Sequence, residues 1–64
     1  MAMSRKDYVA FAAIIAGEIS LAAHANDSHA VIALTNLTRS MADVMKRDNS
    51  SFNRDRFYVA AGIA

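Results

Sequence analysis

Apolar residues recur along this chain at three- and four-residue steps in two long segments and one short one. In the first, Tyr8, Phe11, Ile15, Ile19 and Ala22 follow helical spacing. Val9, Ala12, Ala13, Ile14, Ala16 and Leu21 widen that stripe over most of the circumference, and a helix apolar nearly all round is buried on more than one side. Ser4 and Asp7 stand at capping-box spacing, with Asp in place of the usual Glu. The Ser4 hydroxyl accepts from the Asp7 amide and the carboxylate returns toward the Ser4 amide. The pattern predicts a first helix over about 4–23.

In the second segment Leu34, Leu37, Met41, Val44 and Met45 form a seam at coiled-coil-like spacing, while Thr35, Asn36, Thr38, Arg39, Asp43 and Lys46 occupy the other face. Lys46 and Arg47 sit in the last turn, where the helix dipole favours positive charge. This predicts a second, amphipathic helix over about 28–47. A third, over about 53–61, opens at an Asn53 cap and stops at Gly62. Phe52 before the cap and Phe57 inside the helix have the spacing of a hydrophobic staple. So short a helix does not hold alone and must dock, with these two rings as anchors.

With no proline and two glycines, the breaks are carried by His24-Ala25-Asn26-Asp27-Ser28 and by Asp48-Asn49-Ser50-Ser51-Phe52-Asn53. Their side chains hydrogen-bond nearby backbone and compete with helix. No repeat or linker divides the chain, so residues 1–64 read as one all-α domain: a helical hairpin of two long helices plus a short C-terminal helix. Residues 1–3 are expected to lie outside it as a disordered or added leader, with Met3 as the natural start.

Length alters the picture. Such a chain of 64 residues buries only about 60% of the surface its unfolded form exposes, and a core of that size rarely supplies more than roughly 3–5 kcal/mol. Without cysteine, disulfides are excluded and the strongest zinc patterns with them. Association is left, and a symmetric homo-oligomer in which helix one packs against its mates is the simplest remedy. The formal charge of +1 offers no global field for nucleic acid or an anionic membrane. Val9–Ala23 is shorter than the ~20 apolar residues of a membrane span and contains Glu18. No membrane partner is expected, nucleic acid is disfavoured, and no signal peptide is visible.

Catalytic sets fail early: no cysteine nucleophile, no glycine-rich phosphate loop, no HExxH. Asp7, Asp27 and Asp55 fall near helix starts, where negative charge is stabilising without any chemistry. The chain reads as a non-enzyme without a cofactor. His24 and His29 flank a turn instead of sharing a helix face, so they read as ordinary loop histidines and not as metal ligands.

Arg54 and Arg56 are more informative, because the dipole does not favour arginine at a helix N-terminus. Either carboxylates compensate them, from Asp55, Asp48 or a neighbour's Asp7, or they form an anion site beside the unpaired amides of helix three. Tyr58 follows, able to stack on a base or plug a groove. Arg5, Lys6 and Tyr8 repeat the basic, basic, aromatic arrangement at the other helix start, with Tyr8 alternatively a core-edge residue. Arg5, Lys6, Tyr8, Arg54, Arg56 and Tyr58 are therefore the candidate ligand-binding residues. Brought together from different chains, they would suit a small phosphate-containing ligand.

The two ends, Ser4-Arg5-Lys6-Asp7-Tyr8-Val9-Ala10 and Asp48-Asn49-Ser50-Ser51-Phe52-Asn53-Arg54-Asp55-Arg56-Phe57 through Ala60-Ala61-Gly62, resemble a mostly uncharacterised group of small helical proteins encoded by phages and prophages. The chain departs from that pattern at Ser50, where a proline is common, and at Ala61, where a cysteine is common; the middle, Gly17 to Met45, carries no motif. The resemblance implies a phage accessory protein of the counter-defence kind, working in the cytoplasm of the infected bacterial host. Such a protein would be a homo-oligomeric sponge for a cyclic nucleotide immune signal. The alternative is an inhibitor or adaptor that binds a host defence enzyme through helix two. A DNA-binding regulator ranks last, since helix two offers only Asn36 and Arg39 in its middle.

Overall fold

A computed structural model describes residues 3–64; Met1 and Ala2, the expected leader, lie outside the described residues. The described residues form three helices, α1 (Arg5–His24), α2 (Ser28–Asp48) and α3 (Arg54–Ala61). Each boundary falls within a residue of its predicted place. At the start of α1 the capping box closes, with the Ser4 amide donating to Asp7 Oδ2 at 3.0 Å and the Ser4 hydroxyl donating to the same oxygen at 3.2 Å. Asp27 caps α2 by accepting from the Ala30 amide at 3.1 Å, and Asn53 caps α3 by accepting from the Arg56 amide at 3.0 Å.

The tight reversal between α1 and α2 rests on Asn26. Its φ of 56° is left-handed, a region asparagine tolerates better than most residues. The Asn26 amide then donates to the Ala23 carbonyl at 3.1 Å and the Asp27 amide to the Ala22 carbonyl at 2.9 Å, the paired bonds of a Schellman ending. Asp27 thus closes one helix and opens the next. Gly62 ends α3 by the same device, at φ 83°, with bonds from Gly62 to Val59 at 3.1 Å and from Ile63 to Tyr58 at 3.0 Å.

The core gathers at the open end of the hairpin. Ala12 and Ile15 come from the middle of α1, Ala42 and Met45 from the second half of α2, Phe57 and Ala61 from α3, and Phe52 from the loop before it. Phe52 and Phe57 pack at 5.4 Å between ring centroids, the predicted staple. Met3, expected outside the domain, packs against this core and belongs to it.

One sequence expectation needs correction. Thr38, assigned to the polar face of α2, is fully buried, and Thr35 and Lys46 are half-buried. Both threonine hydroxyls donate to the carbonyl four residues back, Thr38 to Leu34 at 2.7 Å and Thr35 to Val31 at 2.8 Å, so neither enters the interior unpaired. The small pair Thr38 and Ala42 faces the interior, and the predicted seam turns partly outward, leaving Leu37 and Val44 more than half exposed.

Within one chain α1 is covered on the side that carries Ala12, Ile15 and Ala22 and left open elsewhere, as a hairpin of two long helices implies. Val9, Phe11, Ile14 and Leu21 stay exposed. The capped helix is also longer than the apolar run that defined it. At 20 residues with a mean hydropathy of 1.2 in its apolar window, it is long and apolar enough to cross a membrane by length and composition. Length alone therefore does not exclude a span. In this fold α1 spends its inner face on the core.

Candidate functional site

Docking of α3 sets the geometry of the site. The staple holds Phe52 and Phe57 under α3, and Tyr8, one turn into α1, meets Phe52 edge-on with 4.6 Å between ring centroids and 63° between ring planes. This brings the start of α1, the end of α2 and the start of α3 to one place, although they are far apart in sequence. Between them lies a cleft of about 230 Å³. Its walls include Arg5 and Tyr8 from α1, Asn49, Asn53, and Arg56 and Phe57 from α3. Buried Ala12, Phe52 and Phe57 make the apolar floor, and the exposed Arg5 and Arg56 stand at the rim.

Polar chemistry here is sparse. Asn49 Nδ2 donates to the Tyr8 hydroxyl at 3.4 Å, a long bond at the limit of useful geometry. Asn49 Oδ1 accepts from the Ser51 amide at 3.0 Å, holding the loop that carries Phe52. The Lys46 ammonium donates to the Ser50 carbonyl at 2.7 Å and to the Phe52 carbonyl at 3.0 Å, pinning the same loop from α2. The loop is thus fixed by side chains that the sequence marked only as turn formers or a helix-end charge.

The six candidate residues part company. Arg5, Tyr8 and Arg56 line one cleft within a single chain, whereas the sequence offered their convergence from different chains. Arg54 does not join them: it pairs with Asp43 of α2 at 3.0 Å, a carboxylate outside the three partners considered for it. Both side chains of that pair are largely solvated, which puts it in the class worth about 0–1 kcal/mol. Tyr58 is half-buried against the core with the Arg39 guanidinium 5.8 Å from its ring centroid, a cation–π distance. Lys6 is exposed and lines no part of the cleft. Arg54 borders a second depression of about 460 Å³ with Lys46 and Asp55. It is open, and with Lys46 and Arg54 already engaged it offers less than the cleft does.

Asn49 and Asn53 are site residues the sequence did not single out. Asn53 was legible as a helix cap and Asn49 only as part of a helix break, and nothing in their spacing pointed to Tyr8. His24 Nδ1 bonds the Ser20 carbonyl at 2.7 Å on its own helix. Among the described residues no group of three or more His, Cys, Asp and Glu side chains could hold a metal ion.

Two guanidinium forks over a shallow aromatic floor can hold an anionic oxygen cluster beside a flat ring. Size limits the ligand. Small-molecule sites usually measure about 300–1,000 Å³, so a cleft of 230 Å³ is small for one and would cover only part of a larger ligand. Compared with known proteins, the chain matches no family model, no curated protein and no solved structure.

Proposed function

We propose that this chain is a non-enzymatic, homo-oligomeric binding protein that captures a phosphate-bearing, ring-containing ligand between Arg5, Tyr8 and Arg56. The observation that supports it is the convergence of these three residues, drawn from opposite ends of the chain, on one apolar-floored cleft. On the resemblance of the two chain ends to small phage proteins, the ligand class is a cyclic oligonucleotide immune signal and the setting the cytoplasm of an infected bacterium. A cleft smaller than such a ligand fits an oligomer in which each chain holds one nucleotide unit.

Native mass spectrometry with a panel of cyclic di- and trinucleotides tests the reading. Integral ligand masses on a closed oligomer are expected. Arg5→Ala and Arg56→Ala should each weaken binding about tenfold or more, the usual loss for a hydrogen bond to a charged group. Binding of no member of the panel, or an affinity indifferent to both substitutions, overturns it.

A second reading, a protein that inhibits or redirects a host enzyme, draws on Leu37 and Val44, which stand exposed seven residues apart on α2. Stoichiometric recovery of one host protein, lost on Leu37→Glu, would favour it over ligand capture. DNA binding stays behind both, since Arg39, one of its two candidate side chains, already lies over Tyr58.

A further inference from the structure

We infer that the outward face of α1 is an antiparallel interface with a second copy of this chain, in which Ile14 and Leu21 pack over the partner's Gly17 and Ala10. Asp7, Ala10, Ile14, Gly17, Leu21 and His24 follow one another at alternating steps of three and four, the spacing of a coiled-coil seam. All six are exposed, with Ile14 at 64% and Leu21 at 67%, and none belongs to the core of the chain. The seam lies away from Ala12, Ile15 and Ala22, so a partner reaches it without disturbing the protomer.

The order of residues selects both the occupant and its direction. A two-fold interface must be self-complementary, since the same patch serves both sides. Read backwards, this seam is complementary to itself. In the antiparallel register Leu21 meets the partner's Ala10, Ile14 meets the partner's Gly17, and Asp7 meets the partner's His24, so each layer sets large against small or an acid against an imidazole. A parallel pair would instead place Asp7 on the partner's Asp7 and leave a void where two glycines face each other.

Gly17 supplies an independent sign. Glycine disfavours a helix interior, yet a Cβ added there meets nothing within 4 Å among the described residues. The fold of the single chain gives no reason for glycine at that position; close approach of another helix does. The ends of the seam are also free to pair. Asp7 uses Oδ2 for both bonds to Ser4 and His24 donates Nδ1–H to the Ser20 carbonyl, which leaves Oδ1 and Nε2 without a bond among the described residues; Nε2 donates to the carboxylate when the ring carries both protons.

This interface deepens the homo-oligomer of the reading above, and it can be tested apart from the cleft because Arg5, Tyr8 and Arg56 are not part of the seam. Sedimentation equilibrium of the full chain should give at least twice the chain mass. The double variant Ile14→Glu/Leu21→Glu, and separately Gly17→Leu, should halve it while far-ultraviolet dichroism stays helical, since these positions are exposed in the protomer. The chain has no cysteine, so introduced thiols report the register directly. An equimolar mixture of Ala10→Cys and Leu21→Cys proteins should oxidise to the mixed disulfide, and neither should cross-link with itself. A wild-type chain that is monomeric up to millimolar concentration overturns the inference, as does an oligomer that survives the seam substitutions. Self-linking of Ala10→Cys overturns the antiparallel direction, and transfer of wild-type protein onto phospholipid vesicles with loss of the dimer gives the face to a membrane. Ligand titration reads separately: nucleotide binding by a monomer would sink the interface and leave the cleft standing.

Discussion

Thr38 shows how much a single side chain decides in so small a core. It is fully buried beside Ala42, and its hydroxyl is satisfied by the Leu34 carbonyl. That carbonyl belongs to the same helix, so the bond holds no other element in place; what Thr38 contributes is a small, correct volume. Replacing it with valine, which keeps the shape and removes the polar atom, should change urea-unfolding stability by less than about 1 kcal/mol. Thr38→Leu adds bulk where the helices meet and should lose about 1–3 kcal/mol. Equal losses for the two would mean that the hydroxyl, and not the volume, sets the stability. Residue type predicted the reverse placement, because threonine counts as polar in any apolar periodicity and its private hydrogen bond cannot be seen in the sequence. Phe52 is the opposite case. Flanking a cap at staple spacing, it was legible as an anchor, and it meets both Phe57 and Tyr8. Phe52→Ala, at a cost of about 3–5 kcal/mol against a core rarely worth more, should leave the monomer largely unfolded by circular dichroism.

At the level of elements, the helices were legible because their ends are written in local chemistry. Ser4, Asp27 and Asn53 begin them with side-chain or returning-carboxylate bonds, and Gly62 ends α3 in the left-handed conformation its type allows. Asn26 was legible only as part of a break. Its particular role, a left-handed residue placed so that Asp27 can cap the next helix, depends on a backbone angle that composition does not encode. Asn26→Gly should therefore preserve or slightly raise the thermal midpoint, while Asn26→Val should lower stability by more than the roughly 1–2 kcal/mol that ordinary residues lose in that region. A valine variant as stable as wild type would show that the turn re-forms another way. At Asn53 the expectation is simpler. Alanine removes the bond to the Arg56 amide and should cost about 1 kcal/mol, with much of it felt in α3 because that helix has only eight residues. Arg56 and its cleft should loosen with it.

Stability is unevenly shared across the whole molecule, and this links fold to site. The core cluster draws on the middle of α1, the second half of α2 and the inner face of α3, whereas toward the hairpin turn only Ala22 is buried, with Ile19, Val31 and Leu34 half-covered. The cleft sits at the strong end. Its existence was not legible in the sequence, since Arg5 and Arg56 meet only after α3 folds back, and no local pattern states where a short helix will dock. Periodicity did show that α1 is apolar over most of its circumference, and Val9, Phe11, Ile14 and Leu21 are exposed in the single chain. Amide hydrogen exchange should read this asymmetry directly, because regions with few buried contacts open at a lower cost than global unfolding. In the dilute monomer, amides of Ile15, Met45 and Phe57 should exchange only through global unfolding, while those of Leu21 to Leu34 exchange faster through opening of the turn. Raising the protein concentration should then protect the second half of α1 more than it protects α2, because Gly17, Leu21 and His24 lie on the proposed interface and the inner face of α2 gains nothing from it. Uniform protection along the chain in the dilute state would mean that the thin end is held by contacts beyond its buried side chains. Concentration-dependent protection confined to α2 would move the self-association surface to Leu37 and Val44.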